Sequence, residues 1–308
     1  MSIMTTSSNY AELHLHLEGC LDVETLLEIQ PSLDRNEVEA QLRFDDFAGF
    51  LASFKFAVMQ LETPEHYRLL ARRALSRLRS QGIIYVEMIH SAGICLWRQQ
   101  DARAIVEALI EEGRRADVTV RWILDGVRQF GGERFLEVAR LAVQYAGEDV
   151  VGLGIGGDEQ GCLASELVAG FRLARAHGLK ALPHAGETSS PASVWEALGF
   201  GAYRIGHGIR SVEDPLLLAE LVRRDVPLEI CISSNLGTGV CSRLEDHPLP
   251  ALLAAGVKVV LSTDDPAFFA TNLACEFALA ARLGLSAEDL EQIRRNGFHY
   301  AAGAAPTP

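Results

Sequence analysis

The stretch 150–184, VVGLGIGGDEQGCLASELVAGFRLARAHGLKALPH, contains in one unit the pattern on which the fold depends. A short apolar run at 150–156 passes through a polar turn into 163–177, where apolar residues recur every three or four positions with Arg and Glu between them. A second apolar run follows at 179–184. Strand, amphipathic helix and strand in this order read as two parallel strands joined by a helical crossover. The same alternation extends in both directions. Apolar runs at 11–17, 83–89, 119–125, 203–207, 227–232 and 257–262 bring the candidate strands to eight. Amphipathic segments at 65–80, 101–116, 133–147, 190–199, 213–224 and 248–255 lie between them, and 273–283 and 286–302 read as closing helices. Strands apolar on both faces predict an α/β fold with a parallel sheet covered by helices, and eight repeats predict a (β/α)8 TIM barrel; a doubly wound open sheet is the alternative. The chain is expected to form a single domain over 1–308. Its interval 18–64 is longer than one crossover needs and holds helical pieces at 22–29 and 34–61. Phe44, Phe47, Phe50, Phe54 and Phe56 in that interval give a packing surface, which would also serve as a lid over the barrel mouth.

Composition narrows the function classes. With 48% hydrophobic and 22% charged residues the chain is of the globular type. Its 28 Lys and Arg stand against 41 Asp and Glu, a formal charge of -13, and the lysines are only Lys55, Lys180 and Lys258. That balance speaks against binding to nucleic acid or to an anionic membrane. The six cysteines lack CxxC spacing, so they form neither a zinc knuckle nor a thioredoxin-like pair, and reduced thiols are expected in place of three disulfides. Without a basic-then-apolar leader or an apolar run of roughly 20 residues, a cytoplasmic protein is expected.

The polar residues that could carry chemistry fall at the C-terminal ends of the strands, where the loops of such a barrel gather. In ELHLHLEG (12–19), His14 and His16 point to one face of the first strand and Leu13, Leu15 and Leu17 to the other. Two imidazoles so placed can hold a divalent ion, and a pair of structural histidines is the alternative. The fifth strand ends in PHAGE (183–187) with His184 and Glu187, and the sixth in RIGHG (204–208) with His207 between two glycines. The eighth ends in LSTDDPAFF (261–269), where Asp264 and Asp265 are adjacent at the edge of an apolar run. Paired carboxylates there are costly unless a metal or hydrogen bonds compensate them. Three histidines and an aspartate would complete a metal site with one position open for water, leaving a histidine and two carboxylates to move protons. That is the inventory of metal-assisted hydrolysis. Gly152, Gly154 and Gly157 satisfy GxGxxG, but mid-chain and followed by Asp158 and Glu159, which disfavours a dinucleotide site. His66, His177, His247 and His299 read as surface or packing residues, and His90 also as a candidate for substrate contact.

The ordered series ELHLHLEG, GGDE, HAGE, RIGHG, ISSNLGTG and LSTDDPAFF resembles the adenosine/adenine deaminase family, a branch of the amidohydrolase barrels, over about residues 11–300. The resemblance implies one zinc ion per chain, held by His14, His16, His184 and Asp264, and attack of water on C6 of a 6-aminopurine with release of ammonia. It further implies that His207 orients the water and helps to deprotonate it, that Asp265 accepts a hydrogen bond from it, and that Glu187 gives a proton to N1 of the ring. Gly157, Glu18 and His16 would lie against the substrate, Gly157 through its N–H at N3 and Glu18 near the N9 side. Adenosine-specific members typically have Asp at the place of Glu18, a longer section before the second strand and more chain at the C-terminus. Bacterial adenine deaminases share the Glu, as do enzymes acting on 6-amino-6-deoxyfutalosine in the futalosine route to menaquinone. YVEMIHSAGICLWRQ (85–99) and WILDGVRQFGG (122–132) are more similar to the last group. Ser91, Ala92 and Gly93 would leave room on the N9 side or form a tight loop. The leading expectation is a zinc-dependent deaminase of 6-amino-6-deoxyfutalosine or adenosine. Adenine deaminase is the alternative, with another amidohydrolase activity or an inactive binding protein behind it. A nucleic-acid deaminase is disfavoured because the HxE and PCxxC arrangement is absent.

Overall fold

The expected alternation closes on itself in a computed structural model of the chain, which describes residues 9–147 and 149–307. β1 (Tyr10–His16) leads through α1 (Val23–Ile29), α2 (Arg35–Gln41), α3 (Phe47–Met59) and α4 (Pro64–Ser80) to β2 (Ile83–His90). Next come α5 (Ala92–Trp97), α6 (Ala102–Arg115), β3 (Thr119–Val127), α7 (Gly131–Gln144), β4 (Val150–Gly156), α8 (Ala164–Ala176) and β5 (Lys180–Ala185). The second half runs α9 (Pro191–Gly199), β6 (Ile205–His207), α10 (Pro215–Arg224), β7 (Leu228–Ile230), α11 (Ile232–Gly237), α12 (Leu249–Ala254), β8 (Val259–Leu261), α13 (Leu273–Arg282) and α14 (Ala287–His299). All eight strands are parallel and stand in chain order. The ring is closed by Asp264, just past β8, whose N–H donates to the His14 carbonyl at 3.0 Å and whose carbonyl accepts from the His16 N–H at 2.8 Å.

Local sequence accounts for the helix starts. Asp22, Asp46, Thr63, Asp101, Asp214, Asn272 and Ser286 each accept a first-turn backbone N–H at the start of a helix, which satisfies a donor that the helix itself leaves free. On α4 the buried residues Tyr67, Leu70, Ala71, Ala74, Leu75 and Leu78 form one stripe toward the barrel. The predicted helical piece 34–61 is two helices, because the Asp46 carboxylate accepts from Gly49 N–H and starts α3 afresh. Helices α5 and α11 were not expected; at six residues each they are too short to show a period. Among the described residues no helix is long and apolar enough to cross a membrane, and all six cysteines are free.

The barrel interior is not purely apolar. Arg204, fully buried, donates from Nη2 to Glu87 at 2.7 Å and from Nε to Glu229 at 2.5 Å, and from Nη1 to the Tyr300 carbonyl at 2.8 Å. Tyr85 adds a hydroxyl donor to Glu87 at 2.6 Å. Removing the guanidinium would leave two carboxylates buried without their counter-charge. Arg204→Met is therefore expected to lower the unfolding free energy by about 3–5 kcal/mol, read as a lower urea midpoint.

Candidate active site

The strand ends bring His14, His16, His184 and Asp264 together, with their ligand atoms all within 4.8 Å of one another and all four residues buried. His16 Nε2 lies 3.1 Å from His184 Nε2, and Asp264 Oδ1 lies 3.3 Å from His14 Nε2 and 3.4 Å from His16 Nε2. Two of the rings are fixed from behind. His14 Nδ1 faces Glu229 at 2.5 Å and His184 Nδ1 faces the Ile155 carbonyl at 3.1 Å, so each carries its proton there and turns the Nε2 lone pair inward. His14 Nε2 is buried and has no hydrogen-bond partner. Three imidazole nitrogens and a carboxylate oxygen, with an orphaned ring nitrogen among them, fit a divalent ion of the zinc type. Burial pushes His16 down to about 4 and His184 well below the ordinary histidine range, so both rings offer lone pairs.

Close approach of the rings depends on Gly206, paired with His184 across β5 and β6. A Cβ there would lie 2.7 Å from His14 Cε1. His207 and Asp264 both adopt left-handed backbone, with φ of 61° and 63°, a conformation that costs non-glycine residues free energy and concentrates at functional sites.

Beside the cluster, His207 Nε2 stands 3.7 Å from Glu187 Oε2 and 3.8 Å from Asp264 Oδ2. Glu187 is raised well above the usual carboxylate range by burial and then by the charges of Asp264 and Glu159. Asp265 is raised in the same way by burial and by Asp264, and its Oδ1 is buried without a partner. Glu159, although buried, is held below the usual range by hydrogen bonds. Its carboxylate accepts backbone N–H groups of Gly186, Glu187 and Thr188 at 2.7, 2.8 and 2.7 Å, which fixes the turn carrying Glu187.

These groups form the floor of a cavity of about 290 Å³. Gly157 lines it, as expected, and so do His16, His184, Glu187, His207, Asp264 and Asp265. Glu18 does not reach its surface. The carboxylate of Glu18 is buried against His90 Nδ1 at 2.8 Å and the Ser91 N–H at 3.2 Å. His90 and His247 are buried and not at the surface. Sequence reading also passed over Asp125, which lines the cavity with an unpartnered buried Oδ1. Its position as the last residue of the apolar run 119–125 was the available signal. Gly154 makes room for it, since a Cβ there would lie 2.4 Å from Asp125 Oδ1. Glu229 was legible only as one charge inside an apolar run.

The sequence profile described as adenosine deaminase matches residues 10–307. The chain belongs to the adenosine deaminase family, within the amidohydrolase superfamily. It is a hydrolytic deaminase of the purine type from a metal-dependent family. Among its relatives are an aminodeoxyfutalosine deaminase of Streptomyces coelicolor, 36% identical over 96% of this chain and 80% of that protein, and an adenine deaminase of Mesorhizobium japonicum, 34% identical over 94% and 93%. The crystal structure of an adenine deaminase from Arthrobacter aurescens superimposes with a TM-score of 0.88 at 27% identity, covering 96% of this chain and 94% of the other.

The geometry at Gly206 yields a test. Gly206→Ala is expected to displace the His14 ring and weaken zinc binding at least tenfold, measured by competition with a chromogenic chelator, with the far-ultraviolet circular dichroism retained.

Proposed function

We propose that this deaminase acts on a nucleoside-like 6-aminopurine, 6-amino-6-deoxyfutalosine ahead of adenosine. The observation that carries this reading is the division of the cavity. Its floor is polar, whereas its outer wall is built from Phe47, Phe50, Phe54, Val58, Met59, Trp97 and Phe130, with Lys55 as the one Lys or Arg on the lining. Trp97 stacks on Phe130 with centroids 5.2 Å apart. A 6-aminopurine ring fills the floor with its polar edge. Adenine bears only hydrogen at N9 and makes no use of the outer wall. An N9 sugar extended by an apolar group with an anionic end meets both the aromatic wall and the ammonium group.

Zinc bound by His14, His16, His184 and Asp264 supplies the acidification of water that makes hydroxide available near neutral pH. The remaining work falls to side chains. Gly157 N–H meets N3 and sets the ring's orientation, with His16 alongside the ring. His207 and Asp265 aim the water at C6. Glu187, kept protonated by burial and by its carboxylate neighbours, gives its proton to N1 as C6 is attacked. The water surrenders two protons, one restoring Glu187 and one leaving with the amino group as ammonia. Glu18 acts from beneath the surface, holding His90 and the Ser91 amide on the N9 side. We assign the segment 18–64 to a lid, because α3 supplies much of the outer wall, and we place the enzyme in the cytoplasm as a single domain.

Ammonia release and the ultraviolet change of the purine are to be compared on 6-amino-6-deoxyfutalosine, adenosine and adenine. The first should show the highest kcat/KM; a preference for adenine would overturn the reading in favour of an adenine deaminase. Lys55→Met should lower kcat/KM for the anionic substrate by about tenfold or more, as expected for one lost hydrogen bond to a charged group, and leave adenine turnover unaffected. Glu187→Gln should lower kcat by about 10²–10⁴-fold on every substrate that reacts, the range for a lost general acid.

A further inference from the structure

His207 is not alone behind the site. Its Nδ1 faces the Nδ2 of Asn235 on α11 at 3.3 Å. The Oδ1 of Asn235 faces Nε2 of His247 at 3.2 Å, and Nδ1 of His247 accepts the backbone N–H of Leu249, at the start of α12, at 3.2 Å. All three side chains are buried, with His207 1%, Asn235 0% and His247 3% exposed.

The direction of every link follows from the last one. A backbone N–H can only donate, so Nδ1 of His247 carries a lone pair and not a proton. Burial lowers His247 to about 4, so the ring is neutral and its single proton is on Nε2. That proton points at Asn235 and requires the amide oxygen there. The amide is thereby oriented, and its NH2 faces Nδ1 of His207, which must accept. The neutral ring then has its proton on Nε2, the atom that looks into the cavity between Glu187 and Asp264.

We infer that the Leu249 amide, His247 and Asn235 form a one-way hydrogen-bond chain that locks His207 in the tautomer with N–H at Nε2. Asn235 and His247 are positioning residues, acting through His207. The consequence concerns the reaction. Neutral His207 has no lone pair on the cavity side, so it donates a hydrogen bond to the attacking oxygen and does not take a proton from it. On this inference His207 orients the water and does not deprotonate it, and the inference rests on the proposed reading only in placing the reacting oxygen in front of Nε2.

The test reads the nitrogens directly. In ¹⁵N-histidine-labelled protein, the His207 signals, assigned by their loss in His207→Gln, should show Nε2 protonated and Nδ1 unprotonated. Asn235→Asp replaces the amide with a group that can only accept, and Nδ1 of His207 should then gain a proton. kcat should fall by roughly 10²-fold, the size of one lost oriented hydrogen-bond donor to the reacting oxygen, with KM nearly unchanged. His247→Ala frees the amide to turn and should mix the two tautomers, and His247→Gln, which restores a donor at the former Nε2, should bring back the wild-type pattern. An unprotonated Nε2 in the wild type, or an unaltered pattern in Asn235→Asp, overturns the inference. The wild-type spectrum needs no variant to fold and no substrate to react, so failure here is distinguishable from a wrong substrate.

Discussion

The ion chain from Glu87 through Arg204 and Glu229 to His14 is the interaction on which the rest of the structure depends. One guanidinium stands between two carboxylates inside the barrel, and Glu229 passes the surplus negative charge to the imidazole of His14. The pair would not be retained for stability alone, since buried ion pairs often gain little over apolar packing. What the chain does is orient a ring. Against burial, the charge of Arg204 and then the hydrogen bond from His14 hold Glu229 down to about 2, so it is a carboxylate at any working pH and His14 keeps its proton on Nδ1. Glu229 and Asp264 together place more negative charge around His14 than Arg204 neutralises. Burial opposes a charged ring at His14, yet the carboxylates of Asp264 and Glu229 beside it raise it to about 10 when a proton is the available cation. A divalent ion answers the same demand, and does so through three further donors already turned inward.

The order of strands and most helices was legible because each carries a periodic pattern several residues long. All eight apolar runs became barrel strands in the expected order, and the left-handed residues His207 and Asp264 sit at the ends of two of them. The cluster His14, His16, His184 and Asp264 was legible for a related reason. Strand alternation fixes the facing of His14 and His16, and barrel closure fixes which strand ends meet. What could not be read was support from a distance. Glu229 lies 215 positions from the ring that it orients, and Glu159, which orders the Glu187 turn, comes from the loop after the neighbouring strand β4. His247 shows no spacing to any other histidine, so it read as a surface or packing residue, although its partner Asn235 stands in the ISSNLGTG motif. Short helices such as α5 and α11 also escaped, being shorter than two turns.

Two kinds of rigidity meet at the site. The four proposed metal ligands sit on strands or on the residue that closes the ring, held by the hydrogen bonds of the barrel. Of the groups proposed to handle protons, His207 ends β6 and Glu187 stands on the turn after β5. Each is backed by a dedicated polar anchor: Glu159 under Glu187, and the Asn235 to His247 chain under His207. Buried polar networks of this kind are costly if any member is left unsatisfied. Their presence in positions with no packing role is best understood as control of geometry and of proton position at the atoms that react.

The outer cavity obeys a different logic. Its residues come from α3, α5 and the turn after β3, elements that supply none of the four clustered side chains. Phe50 and Phe54 of α3 pack against Phe268 and Phe269, which stand a few residues after the Asp264–Asp265 pair. The wall is thus tied to the catalytic floor by apolar contact and can change its lining without disturbing the ligands. Relatives named for aminodeoxyfutalosine and for adenine stand at 36% and 34% identity to this chain, a difference too small to carry a substrate assignment. On the proposed reading, discrimination between an N9 hydrogen and a long N9 substituent resides in a few side chains of this wall, where Lys55 stands among aromatic rings.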